Sequence, residues 1–158
     1  MVLSFDDGYN NNYTNAYKLL KLNGQRGVFY IISGYLGNSG HMNEEQVKEM
    51  HASGMEIGSH SKNHPELNNL SPARLRSELI DSKSKLETIT GANVNSLCYP
   101  AGKYSDEVIA AAKETDYKTA VTTKSGVATT SSLKYELKRV RINSGDSLQA
   151  FINKIEAN

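Results

Sequence analysis

Short apolar runs rich in β-branched and aromatic residues recur along this chain, and between them the hydrophobic positions fall at helical spacing. Residues 2–5 read as a first strand, after which Ala16, Leu19 and Leu20 mark one face of a helix over residues 14–22. Gly24 and Gly27 interrupt the pattern before a second strand at residues 28–32. Asn43 with Gln46 three positions on has the form of a capping box; Val47 and Met50 supply the stripe of the helix it opens, and Gly54 its stop. Residues 55–57 form a third strand. Ser71-Pro72 combines an N-cap with proline at the first helical position, opening a long helix through Leu75, Leu79, Ser82, Leu86 and Ile89 to Gly91. Residues 94–99 are a fourth strand, 106–113 a helix and 119–123 a fifth strand. Beyond the polar stretch 124–132, residues 139–142 alternate like a strand, and Asp146 or Ser147 caps a last helix carrying Leu148, Phe151, Ile152 and Ile155.

Strands alternating with helices predict an α/β fold with parallel strands. About six strands are countable, where a closed (β/α) barrel has eight; a doubly wound open sheet is the alternative. Either architecture places ligands at the carboxyl ends of strands. The length of 158 residues, 38% of them hydrophobic, suffices for one well-buried core and makes a single domain over residues 1–158 the economical reading. With 18 basic and 17 acidic residues there is no electrostatic case for nucleic acid or an anionic membrane as partner. The single cysteine, Cys98, rules out an internal disulfide and sits in an apolar run, where it reads as a small buried hydrophobe. No apolar segment approaches the ~20 residues that span a bilayer. No targeting segment precedes the first strand, so the residues are expected to be part of a longer gene product. Nothing in the pattern decides the oligomeric state.

Two constellations carry chemistry. Asp6-Asp7-Gly8 ends the first strand, and His60-Ser61-Lys62-Asn63-His64 follows the third. One carboxylate and two imidazoles make a three-ligand set for a borderline divalent ion, with a coordination position left open as in catalytic sites. The remaining aspartate is then the simplest general base. Adjacent side chains on a strand point to opposite faces, so both aspartates serve one site only if the chain turns there, which Gly8 permits. Alone, Asp-Asp-Gly would be a solvated turn; the histidine pair tips the balance. Pro65 biases His64 toward an extended backbone. His41 and His51 read as ordinary structural or surface histidines.

These residues resemble the NodB-type polysaccharide deacetylases, which remove N-acetyl groups from N-acetylglucosamine polymers. Ser4-Phe5-Asp6-Asp7-Gly8 is similar to the family's first motif, His60-Ser61-Lys62-Asn63-His64 to its second and Tyr99-Pro100-Ala101-Gly102 to its third. The resemblance runs from residue 2 to about 143. It implies a distorted, incomplete (β/α) barrel and a metal-dependent hydrolase acting on an acetylated polysaccharide. It makes Asp6 the catalytic base and Asp7, His60 and His64 the metal ligands. Zn2+ is the first choice of ion, with Co2+, Ni2+ or Mn2+ as alternatives. By the same resemblance the backbone N–H of Ala101 donates to the oxyanion, and Tyr99, Pro100 and Gly102 line the substrate. Location is extracellular or at the cell surface.

The chain also departs from the family pattern. The third-motif arginine beside the base is replaced by Cys98, the fourth motif has no counterpart in a chain without Trp, and no histidine follows His64 to act as the general acid. Arg139 and Arg141 are the nearest charged residues without an assigned role. Phe5-Asp6-Asp7-Gly8-Tyr9, Asn12-Tyr13 and the arginine-less Cys98-Tyr99-Pro100-Ala101-Gly102 are similar to the biofilm poly-N-acetylglucosamine deacetylases, in which the acid histidine precedes the first motif. The rival from another class is a catalytically weak or silent metal- and glycan-binding module. An aspartate-phosphorylating pocket would leave the histidine pair unexplained.

Overall fold

The computed structural model describes residues 1–156, so the last two residues of the expected 1–158 domain lie outside the described part. Its centre is a six-stranded sheet in which β1 (Leu3–Phe5), β2 (Gly27–Ile31), β3 (Glu56–Ser59), β4 (Ser96–Cys98), β5 (Thr119–Ser125) and β6 (Leu137–Arg139) lie in sequence order. Every neighbouring pair is parallel. Sequential order without a reversal excludes the doubly wound alternative, whose strand order turns back at a switch point. The sheet instead curls, so that Arg139 at the end of β6 donates to Ser4 Oγ on β1 at 3.2 Å across the interior. This is the incomplete (β/α) barrel, with β1 and β6 as its two edges.

The buried strand β2 shows how the layers form. Phe29 and Ile31 face the helices and join a core with Tyr17, Leu20, Val47, Met50, Leu79 and Leu97, whereas Val28 and Tyr30 point inward to pack with Cys98 and Val121. Period-two alternation thus separates an outer core from a filled lumen. α2 (Glu44–Ala52) opens on the expected capping box, with the Asn43 side chain and the Gln46 amide hydrogen-bonded reciprocally. α3 (Pro72–Thr90) starts with proline at N1 and ends on Gly91 at φ 70°, although the Ser71 side chain makes no capping bond. α4 (Asp106–Glu114) is capped by Ser105, and the Ser147 hydroxyl accepts from Ala150 N at the start of α5 (Leu148–Glu156).

Two local expectations are corrected. The first helix begins with π-helical turns over Asn12–Tyr17 before α1 (Lys18–Leu22). The wider π turn rotates the buried face, so Tyr17 and Leu20 enter the core and Leu19 is left 60% exposed. The sixth strand lies at Leu137–Arg139 rather than 139–142, because Val121 pairs with Leu137 and a register shift separates that pairing from Ser125 with Arg139.

Candidate active site

All the sequence-identified motifs sit just past carboxyl ends of strands. After Phe5 the chain turns at Asp7 (φ 72°) and Gly8 (φ 77°), and the left-handed conformation at Asp7 itself redirects its carboxylate relative to that of Asp6. Ser61 (φ 61°), His64 (φ 58°) and Ala101 (φ 52°) also take positive φ, so among the described residues four of the five non-glycine residues in that region lie in the three motif loops. Such conformations persist where surrounding contacts enforce them, and they cluster at functional sites. The extended backbone expected at His64 is therefore wrong. The contacts that override the proline bias include a bond from His64 N to Ser61 Oγ at 3.0 Å.

Those turns bring three donors together. His60 Nε2 lies 3.4 Å and His64 Nε2 3.7 Å from Asp7 Oδ1, and the two imidazoles meet edge to face. His60 is 3% exposed, and its Nδ1 is 2.7 Å from the Cys98 carbonyl. A carbonyl can only accept, so Nδ1 carries a proton and Nε2 is the nitrogen turned toward Asp7. Burial opposes charge on His60, but its hydrogen bonds to Asp7 and Cys98 carry its pKa up to about 10. The same bond to His60 holds the Asp7 carboxyl below its usual range despite burial, while burial and the neighbouring His60 charge push His64 down. A divalent cation would meet the same Asp7, His60 and His64 lone pairs and take the place of a proton there.

The histidine loop is held from behind by α3. Glu78, only 6% exposed, accepts from Lys62 N (3.0 Å), Asn63 N (2.8 Å) and Asn63 Nδ2 (2.7 Å). Ser82 donates to the Ser61 carbonyl at 3.1 Å and shares a hydrogen bond with Ser59. The sequence pattern placed Ser82 on the helix stripe and passed over Glu78; its signal is a charged residue one position before Leu79 on a buried face.

Asp6 faces a different partner. Arg139 Nη1 and Nη2 donate to its two oxygens at 2.7 and 2.8 Å, a bidentate fork, and Arg139 Nη2 also lies 3.3 Å from Cys98 Sγ. The arginine absent from the third motif is thus supplied by β6, and Cys98 occupies the space beside it. Asp6, His60 and Cys98 form a second cluster of metal-competent atoms overlapping that of Asp7, His60 and His64. The Asp7 cluster fits a cation better. Both Asp6 oxygens are already engaged by a guanidinium, and burial pushes the Cys98 thiol pKa up, keeping it protonated.

The third motif differs from expectation in its side chains. Tyr99 is 1% exposed, stacks on Tyr104 and donates its hydroxyl to the Tyr135 carbonyl, so it belongs to the core and does not line a substrate surface. Pro100 is buried as well. Gly102 is required by its φ of 67° and by Thr123, whose Oγ1 would lie 2.0 Å from an added Cβ. Proline has no N–H, and the amides of Gly102 and Lys103 are taken by turn bonds to Tyr99 and Pro100, which leaves Ala101 as the amide of this turn with no part in them. Neither His41 nor His51 enters a metal-competent cluster among the described residues.

A family model described as polysaccharide deacetylase matches residues 1–120. The chain is 39% identical to YxkH of Bacillus subtilis (strain 168) over 157 residues, 99% of this chain and 56% of that protein. It is 32% identical to the peptidoglycan-N-acetylmuramic acid deacetylase PdaA of the same organism over 122 residues, 74% of this chain and 44% of PdaA. Among solved structures, the Streptococcus pyogenes deacetylase PplD in complex with acetate superposes with a TM-score of 0.91 at 32% identity, covering 97% of this chain and 69% of that one. The chain spans about half the length of these curated relatives.

Proposed function

Because the chain belongs to the polysaccharide deacetylase family, we propose that it hydrolyses N-acetyl groups from an N-acetylglucosamine-containing polymer outside the cell or at its surface, as a single domain. The observation that carries this reading is the convergence of Asp7, His60 and His64 beside an Asp6 that is held apart by Arg139. Asp7, His60 and His64 would hold a divalent cation, zinc being favoured by one oxygen and two nitrogen donors and Co2+, Ni2+ and Mn2+ being the alternatives. When bound, that cation supplies a Lewis acid that polarises the acetyl carbonyl and strengthens water as a nucleophile at neutral pH.

The chain's own groups do the rest. The Cys98 carbonyl fixes His60 with Nε2 toward Asp7, and Glu78 and Ser82 hold the loop that carries His64. Asp6 takes the proton of the attacking water, with Arg139 fixing both of its oxygens in one plane. The Ala101 amide donates to the oxygen on which charge develops. The proton that Asp6 takes from the water passes to the leaving nitrogen as the carbon–nitrogen bond breaks, so one carboxyl serves as base and then as acid. The name of PdaA and the acetate held by PplD support an amino-sugar polymer of the cell wall as substrate.

The test is acetate release from tetra-N-acetylchitotetraose and from peptidoglycan in the presence of Zn2+ or Co2+. Release that stops on chelation and returns with metal supports the reading. Glycan binding without acetate release at saturating metal would make the domain a silent binding module instead.

A further inference from the structure

Beside the Asp6-Asp7-Gly8 turn lies a group of three rings that the hydrolytic machinery does not use. Tyr9 directly follows that turn, and its backbone forms an antiparallel bridge with His41. Met42 N donates to the Gly8 carbonyl at 3.0 Å and Asn10 N to the Gly40 carbonyl at 2.9 Å, so the loop bearing His41 is bonded to the aspartate turn on both sides of the bridge. The Tyr9 and His41 ring centroids lie 5.0 Å apart with the planes tilted by 31°, and Tyr35 meets His41 edge-on at 5.2 Å. Tyr35 in turn directs its hydroxyl to the Asn63 carbonyl at 3.4 Å, next to His64. The rings therefore join the loops that carry Asp7 and His64.

These side chains are not core. Tyr9 is 48% exposed, and His41 and Tyr35 are half-buried. An exposed aromatic group fastened to a catalytic rim offers flat π faces of negative quadrupole. Hexopyranoses with equatorial substituents present a complementary surface, a flat face of C–H bonds made positive by the attached oxygens. A peptide or lipid would want a deeper apolar groove than three rings provide.

We propose that Tyr9, His41 and Tyr35 form a platform on which a pyranose ring of the polymer stacks, flanking the sugar that presents its acetyl group to Asp7, His60 and His64. The proposal rests on the deacetylase reading of that site and adds the position and chemistry of a neighbouring subsite. Stacking should make catalysis depend on chain length: kcat/KM for tetra-N-acetylchitotetraose should exceed that for N-acetylglucosamine by roughly five- to tenfold, mainly through KM. Tyr9→Ala and His41→Gly should lose this length advantage, and His41→Phe should keep it. A length advantage that survives Tyr9→Ala, or that His41→Phe abolishes, overturns the platform. If the wild-type chain releases no acetate from any sugar, the functional reading fails on that result alone. The platform is then still read by NMR titration of the wild-type protein with the tetramer, which should shift the Tyr9, Tyr35 and His41 ring resonances; rings that do not respond overturn it.

Discussion

Replacing Glu78 with alanine tests whether the geometry of the metal-competent cluster is imposed from α3. The carboxylate accepts three hydrogen bonds from Lys62 and Asn63, two of them from backbone amides that have no freedom to turn elsewhere. Each buried donor left unsatisfied costs about 1–3 kcal/mol, and water entering the vacated space recovers part of that sum. A net destabilisation of about 2–4 kcal/mol follows, which for a domain of this size lowers Tm by roughly 4–16 °C. Because His64 directly follows Asn63, the loosened loop should also weaken metal binding by roughly 10- to 100-fold, the usual consequence of removing an outer-shell partner. Thermal unfolding of the metal-free protein and calorimetric titration with Zn2+ read the two effects separately. Glu78→Gln retains one carbonyl oxygen for the two amides and should lose less in both assays. A Glu78→Ala variant with wild-type Tm and wild-type zinc affinity would refute the idea that α3 shapes the site.

Asp6→Asn should abolish acetate release while Zn2+ still binds stoichiometrically; loss of metal equal to that of a His60 variant would reverse the roles of the two aspartates. Arg139→Leu should lower kcat by an order of magnitude or more with metal retained, since a fork fixing both Asp6 oxygens disappears, and Arg139→Lys should recover only part because ammonium cannot make the bidentate contact; unchanged kcat in both variants would remove Arg139 from the account. In the metal-free protein the His60 pKa is raised from 6.5 to about 10. Its contribution to stability is therefore fully present below about pH 6.5 and lost as pH rises toward 10. Tm should fall over that window in the wild type and fall less in His60→Gln, and equal slopes would contradict the assignment.

The parts legible in the sequence were those set by local patterns. The Asn43–Gln46 capping box, the Gly91 stop and the strand count depend on neighbours a few residues away; they indicate an α/β fold with parallel strands, while the incomplete barrel was implied by the motif resemblance and is decided by the sequential strand order. The spacing of His60 and His64 and the placement of both motifs at strand ends indicated side chains that the fold does bring together with Asp7. What escaped is set by tertiary contact. Arg139 reaches Asp6 only because the sheet curls β6 back toward β1, and no local periodicity encodes that curl. Tyr99 looked like a lining residue from its motif position, yet β4 turns its ring into the core against Tyr104. The π turns before α1 displaced Leu19 from the face that a 3.6-residue period assigns to it. At Asp7, Ser61 and His64 the backbone adopts a conformation that residue preference disfavours and surrounding hydrogen bonds enforce.

The central claim is that Asp7, His60 and His64 act as one metal site. The most direct measurement is the zinc stoichiometry of the chelator-stripped protein, taken side by side for the wild type and for Asp7→Ala, His60→Ala and His64→Ala variants whose folding is verified by circular dichroism. One tightly bound ion per wild-type chain, lost or greatly weakened in each of the three variants, is the predicted result. A folded wild-type protein that takes up no zinc, or one ion retained with undiminished affinity in all three variants, would contradict it.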